Sequence, residues 1–142
     1  MIRRKFLLVP ALHFSGGNCI YAMKLYQKVF SGEILSISYN HEAPDSKLAE
    51  TDETYNHIMH GEMIICGTRV NMCDVEEEIL PNNMFILNLF LNTTEEVTSA
   101  FNVLKQEGKI IHELEPRFWS PMYCKLIDRY GVQWQIMVNQ GI

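Results

Sequence analysis

The sequence predicts an α+β fold made of two modules that share the order strand, helix and three strands (βαβββ). Apolar patterns of strand and helix period follow this order twice along the 142 residues. The spacing repeats as well, because Phe14 precedes Gly32 by 18 residues and Leu91 precedes Gly108 by 17. A period of this length indicates two copies of one supersecondary unit, each too small to close a core alone.

Module one covers residues 5–75. An apolar stretch over residues 6–14 predicts its first strand, and apolar residues at three- and four-residue steps predict a helix over 19–30. Asn18 is expected to cap this helix and Gly32 to end it. The rest of the module is predicted as a strand over 33–39, a polar exposed loop over 41–55 bordered by the solvent-facing His41 and His57, and strands over 56–66 and 69–75.

Module two covers residues 84–139 and repeats the pattern. Residues 84–91 are apolar and predict a strand, and Asn92, Thr93 and Thr94 offer cap residues for a second helix that ends at Gly108. Its apolar stripe is formed by Val97, Ala100, Phe101 and Leu104. Three strands are predicted to follow, over residues 109–114, 118–127 and 132–138.

Size and composition favour one ordinary globular domain over residues 1–142. The chain is 47% hydrophobic and 20% charged, with a net charge of −5. Its basic residues are scattered except at positions 3–5, so the clustered basic surface that binds phosphate backbones is missing, and nucleic acid is excluded as a partner. No apolar stretch is long enough to cross a bilayer, and the one after the N-terminal basic residues stops at Pro10. We therefore expect a cytoplasmic protein that binds no membrane.

The four cysteines do not indicate a metal site or a disulfide framework. Cys19, Cys66, Cys73 and Cys124 are widely spaced and form no C-x-x-C pair. In a chain without an export signal such thiols stay reduced. We interpret them as small buried apolar side chains.

Three sequence patterns resemble those of a known family. They are Ala22-x-x-x-Tyr26-x-x-Val29-Phe30-x-Gly32, then Ile58-Met59-His60-x-Glu62, and finally Phe118-Trp119 followed by Asp128-x-x-Gly131-Val132-Gln133-Trp134. In this order and spacing the chain resembles the glyoxalase/bleomycin-resistance/dioxygenase (vicinal oxygen chelate) superfamily and its PhnB-like branch. The resemblance implies a glyoxalase-like, cup-shaped half-barrel that binds a small ligand on its inner face.

The resemblance also implies where a divalent metal would bind. Metal-dependent relatives take four ligands from the first and last strands of each module, and these positions fall within one or two residues of His13, Met72, Ile86 and Gln135. Isoleucine has no donor atom, a thioether is a poor ligand for a hard cation, and no carboxylate is present. We therefore expect no metal and no other cofactor.

Five residues are the candidate ligand contacts. His60 and Glu62 lie two residues apart, so they share one strand face, together with Ile58, Ile64 and Cys66. His13 lies on an apolar strand, Gln135 faces away from Trp134, and Trp119 borders a turn where its indole could stack on a ligand. The alternative is structural: a hydrogen-bonded pair, a core histidine and core aromatic residues.

Three functions remain open at this point. The first is binding of a small molecule in the cup without catalysis. The second is a lyase, isomerase or dioxygenase that uses a divalent metal, and His13 is the residue that supports it. The third is an interaction module whose paired sheets support dimerisation. In each case we expect a homodimer, because apolar strands such as residues 84–91 need covering.

Overall fold

The computed structural model describes residues 6–80 and 82–140. It confirms the α+β fold of two βαβββ modules in the predicted order. Residues 6–27 and 31–78 form one compact unit, and residues 28–30, 79–80 and 82–140 form the other. The expected start of module one at residue 5 and the basic residues 3–5 lie outside the described residues. That the modules form one domain stays a prediction.

Module one contains one helix and one four-stranded mixed sheet. Its elements are β1 (Ala11–Phe14), α1 (Cys19–Phe30), β2 (Glu33–Tyr39), a short 3-10 helix (Asn40–Glu42), β3 (Ile58–Ile65) and β4 (Thr68–Asp74). The strand order is β1-β4-β3-β2, in which β1 and β4 are parallel and the other pairs are antiparallel. The first strand starts at residue 11 and not at residue 6, because Pro10 lacks an amide donor and residues 6–8 are exposed.

Module two repeats this topology. Its elements are β5 (Leu87–Leu91), α2 (Thr94–Leu104), β6 (Lys109–Arg117), β7 (Ser120–Ile127) and β8 (Gln133–Val138). The strand order is β5-β8-β7-β6, and again the first and last strands are parallel. The strand predicted over 84–91 starts three residues late, because the Asn82 side chain holds the amides of Met84 and Phe85 in a turn. No helix among the described residues is long and apolar enough to span a membrane.

Helix α1 spans the predicted residues, but its two ends differ from the prediction. The Asn18 side chain makes no capping hydrogen bond. Instead the carboxylate of Asp74, at the end of β4, accepts hydrogen bonds from the amides of Cys19 (3.0 Å) and Ile58 (2.8 Å). Asp74 therefore ties the start of α1 to the start of β3.

At the other end of α1 the left-handed residue is Ser31 (φ 50°) and not Gly32. Gly32 is required for a different reason. A Cβ atom there would lie 2.9 Å from Met63 Cε and 3.0 Å from the backbone oxygen of Ile64. The glycine thus allows the chain to pass close to β3.

Helix α2 has the predicted apolar stripe and a capped start. Val97, Ala100, Phe101 and Leu104 are buried. Thr93 Oγ1 accepts a hydrogen bond from the Glu96 amide at 3.1 Å, and Glu96 Oε1 accepts one from the Asn92 amide at 3.2 Å. The helix ends at Leu104, four residues before the predicted stop at Gly108, and Glu107 is the residue with positive φ (59°).

Each sheet has an apolar face and a polar face. In module one Gly61, Met63, Val70 and Met72 are buried, and Met23 of α1 packs against Gly61. The neighbouring positions along β3 and β4 therefore face away from this apolar layer. These positions carry the candidate site.

Candidate functional site

The polar face of module one contains a cavity of about 200 Å³. It is lined by Ala11, His13, Met59, His60, Asn71, Met72 and Cys73. Two of the five predicted ligand contacts, His13 and His60, therefore line one cavity. The strand pairing brings them together from residues 47 positions apart in the sequence.

Register explains why these side chains meet. In the parallel pair His13 lies opposite Cys73, and in the antiparallel pair Glu62 lies opposite Asn71. Residues opposite each other in a sheet point to the same face. The chain thus places an imidazole, a thiol, an amide and a carboxylate on one side of module one.

His60 and Glu62 form a hydrogen-bonded network with Arg69. Glu62 Oε1 lies 2.9 Å from His60 Nε2 and 2.6 Å from Arg69 Nη2. The hydrogen bond from His60, together with the charge of Arg69, lowers the pKa of the Glu62 carboxyl below its usual value. The network leaves Glu62 Oε2 without a hydrogen bond to any described residue, so this oxygen remains an acceptor for a ligand.

The face assigned to Ile58 from the sequence is wrong. Ile58 is fully buried, whereas His60 has 46% of its side chain exposed. A register shift between Ser38 and Tyr39, opposite this part of β3, breaks the simple alternation of faces.

His41 and His57 do not face solvent as expected, because both are half-buried. The ring of His41 is stacked between Tyr39 (5.8 Å between centroids) and Tyr55 (4.2 Å). His57 lies over Gly17, where a Cβ atom would be 2.7 Å from its Nε2. Both histidines therefore have packing roles outside the cavity lining.

Three of the four cysteines, Cys19, Cys73 and Cys124, are thiols held in their protonated form rather than nucleophiles. Burial raises the pKa of Cys19 far above the usual value and that of Cys124 to about 12. Burial, and then the nearby carboxylate of Asp74, raise the pKa of the half-buried Cys73. The sequence interpretation is confirmed for Cys19 and Cys124 but is wrong for Cys66, which is exposed.

In module two, Gln135 belongs to a chain of hydrogen bonds across the sheet. Its Oε1 accepts a hydrogen bond from the Tyr123 hydroxyl at 2.5 Å, and its Nε2 donates to Asn88 Oδ1 at 2.7 Å. Gln135 therefore shares a face of the sheet with Tyr123. The side chain of Trp134, which is 1% exposed, points to the other face. This is the orientation predicted for the pair.

Trp119 lies in the turn between β6 and β7 and is 43% exposed. Its ring meets Tyr123 edge-on at 5.4 Å and Phe118 edge-on at 4.7 Å. The guanidinium carbon of Arg117 lies 5.9 Å from the Trp119 ring centre. The indole is thus held on one side by module two and is open on the other.

The side chains do not fit the metal centre that the resemblance implies. The strand register moves two of the four positions. Cys73 lies opposite His13, whereas its neighbour Met72 is buried (1% exposed). In module two, Asn88 rather than Ile86 lies opposite Gln135. None of these positions carries a carboxylate, which a hard dication favours. In the chain described, no group of three or more His, Cys, Asp or Glu side chains could hold a metal ion.

Comparison with known proteins places the chain in a family. The family model described as 3-demethylubiquinone-9 3-methyltransferase matches residues 7–137. Protein YjdN from Escherichia coli (strain K12) is 30% identical over 144 residues, which cover 92% of this chain and 94% of YjdN. The chain belongs to this PhnB-like family.

Solved structures agree with a PhnB-like fold within the vicinal oxygen chelate superfamily. The PhnB protein from Bacillus cereus has a TM-score of 0.77 and 26% identity, and the match covers 93% of this chain and 98% of that one. Another similar structure is a variant of the fosfomycin resistance protein FosX from Listeria monocytogenes, complexed with Mn(II) and 1S,2S-dihydroxypropylphosphonic acid. It has a TM-score of 0.64 and 13% identity, and the match covers 97% of this chain and 95% of the FosX chain. At this identity FosX shows the fold alone.

The sequence interpretation missed several polar residues on these faces. Arg69 and Asn71 complete the module-one site, and Arg117 and Lys125 lie on the face that Gln135 occupies. The period-two pattern of β4 could have indicated Arg69 and Asn71, since they alternate with the apolar Val70 and Met72. Arg117 carried no such signal, because the register of β6 is irregular.

Proposed function

We propose that this PhnB-like protein binds a small polar molecule in the module-one cavity without a metal ion. The observation that carries the proposal is that His13 and His60, two residues of different strands, line the same cavity of about 200 Å³. Drug-sized ligands occupy pockets of roughly 300–1,000 Å³. The cavity therefore suits a metabolite of a few heavy atoms.

The lining favours a ligand with hydrogen-bonding groups. The His13 ring can donate on one nitrogen and accept on the other, and the Asn71 amide can do both. His60 offers only Nδ1, because its Nε2 donates to Glu62. Met59 supplies an apolar surface that adapts to the ligand shape. Glu62 lies next to His60 and offers one more acceptor. Trp119 and Gln135 lie in module two, and their part in ligand binding stays a prediction.

The alternative is a divalent-metal-dependent lyase, isomerase or dioxygenase. Its support is His13 and the Mn(II) complex of FosX, a neighbour in fold alone. The thiol and amides beside His13 and Gln135 are a weaker donor set for a hard cation than carboxylates. Methyl transfer, which the family description names, is not part of the proposal. Nucleotide-like cofactors bind on open, mostly parallel sheets, whereas each sheet here has one parallel pair and two antiparallel pairs.

A thermal-shift screen on EDTA-treated protein tests the proposal. The probes are small metabolites that carry carboxylate, phosphate, amide or hydroxyl groups. A compound at about 100 times its Kd stabilises a protein by about 2.7 kcal/mol. We expect this stabilisation to be lost in His60→Ala and Asn71→Ala and kept in the controls His57→Ala and Asn102→Ala, which lie outside the cavity lining.

Two outcomes would count against the proposal. One is a compound whose stabilisation survives both cavity substitutions, since the ligand would then bind elsewhere. The other is stabilisation that requires added Mn²⁺ and disappears in His13→Ala, which would support the metal-dependent alternative. Homodimer formation is a separate prediction that the screen does not address.

A further inference from the structure

The polar face of module two contains an arginine that is only partly satisfied. Arg117 Nη2 pairs with Glu115 Oε1 at 2.9 Å. Arg117 Nε, however, is buried and has no hydrogen-bond partner among the residues that the structure describes. A buried donor without a partner costs free energy unless something else accepts its hydrogen bond. Nε and Nη2 share one edge of the guanidinium, so an acceptor that takes the place of Glu115 there would satisfy Nε as well.

Aromatic rings hold this guanidinium in place. Its central carbon lies 5.5 Å from the ring centre of Tyr123 and 5.9 Å from that of Trp119. Tyr123 is itself fixed, since its hydroxyl donates to Gln135. Arginine between aromatic rings keeps its fork of donors in one orientation, so little flexibility is lost when an anion binds.

A second cation borders the same face. Lys125 pairs in register with His112 of β6 on one side and with Gln135 of β8 on the other. It is half-buried and makes no ion pair with any described residue. In a chain of net charge −5, this face therefore holds two cations, Arg117 and Lys125, and the Glu115 carboxylate is paired with Arg117.

We propose that module two binds a small planar carboxylate at Arg117, with Trp119 beside the apolar part of the ligand and Lys125 adding attraction. A carboxylate matches the two-donor edge of a guanidinium, and it would satisfy the unpaired Nε. The half-exposed indole favours an aromatic or other flat body next to the carboxylate. Glu115 competes for the same guanidinium. The proposal does not depend on the module-one cavity, because none of these residues lines it.

The two tryptophans give a direct readout in a ¹H–¹⁵N spectrum. Trp119 reports on the proposed site. Trp134 is an internal control, since it is 1% exposed and its indole N–H donates to Asp128 at 2.9 Å. The full-length protein is titrated with sodium benzoate at constant ionic strength, and Trp119→Phe assigns the two signals. We expect a saturable shift of the Trp119 signal and a fixed Trp134 signal.

Matched variants separate a binding role of Arg117 from a structural one. Arg117→Lys keeps the charge but loses the fork, so benzoate should bind at least about tenfold more weakly. Arg129→Lys, an arginine of the same module, should leave the affinity unchanged. Glu115→Gln removes the competing carboxylate and should tighten binding several-fold, which a purely structural role of Arg117 does not predict. An unchanged Trp134 signal shows that each variant is folded.

Other probes test the ligand class. Acetate lacks the ring and should bind more weakly than benzoate, whereas benzyl alcohol lacks the carboxylate and should not shift the Trp119 signal. The proposal is overturned if Arg117→Lys binds benzoate as tightly as the parent, or if benzoate gives no saturable shift. It is also overturned if inorganic phosphate binds as well as benzoate, since the site would then select charge and not a planar carboxylate.

Discussion

Replacing Asp74 by alanine should destabilise module one strongly, although Asp74 lies outside the cavity. The carboxylate accepts hydrogen bonds from the amides of Cys19 and Ile58. Hydrogen bonds with a charged group contribute about 1.5–3 kcal/mol each, and both of these are only partly buried. We therefore expect Asp74→Ala to lower the free energy of unfolding by about 2–4 kcal/mol.

Urea unfolding followed by circular dichroism measures this loss, and two controls make it specific. Asn18→Ala should change stability by less than about 0.5 kcal/mol, because Asn18 makes no capping bond. Asp52→Ala removes one exposed hydrogen bond to the Ala49 amide and should cost less than about 1 kcal/mol. If Asn18→Ala proved more costly than Asp74→Ala, our account of the start of α1 would be refuted.

Two further predictions concern module one. His60→Ala should raise the pKa of Glu62, as measured by carbon-13 NMR titration, because the hydrogen bond from His60 is the main cause of its lowered value. An unchanged Glu62 pKa in the variant would contradict this role of His60. The stabilisation from ionised Glu62 is present above its unfolded-state pKa and should disappear as the pH falls through the lowered folded-state pKa. Ser31→Gly should stabilise the protein by about 1 kcal/mol, because Ser31 has a positive φ that glycine adopts without strain. Gly32→Ala should lower the stability by about 1–3 kcal/mol, because the added Cβ atom would clash with Met63. Equal effects of the two substitutions in thermal unfolding would show that the two roles are misassigned.

Apolar periodicity was sufficient to predict the order of the elements. Helix α1 and strand β2 have the predicted bounds, because each is a continuous periodic segment between turn residues. Errors arise where a distant residue decides a local feature. The cap on α1 comes from Asp74, 55 residues away from Cys19, and no local pattern around Asn18 could reveal it.

The candidate site was predictable only in part. His60 and Glu62 were paired correctly, since two residues of one strand share a face whatever the tertiary structure is. Whether Cys73 belongs to the site depends on the register between β1 and β4. An error of one residue in that register moves each side chain to the opposite face of the sheet. The sequence therefore led to Met72, the buried neighbour, and to Ile86 in place of Asn88.

The register shifts in β2 and β6 have a consequence for strand addition. These strands are the last in each sheet order, and their pairings contain two and three irregularities respectively. An irregular edge presents no even row of amides and carbonyls to an incoming strand, and Pro116 removes one donor from β6 altogether. The opposite edges, β1 and β5, pair in continuous register but have only four and five residues. Intermolecular β-sheet growth is thus discouraged by irregularity at one edge of each sheet and by shortness at the other.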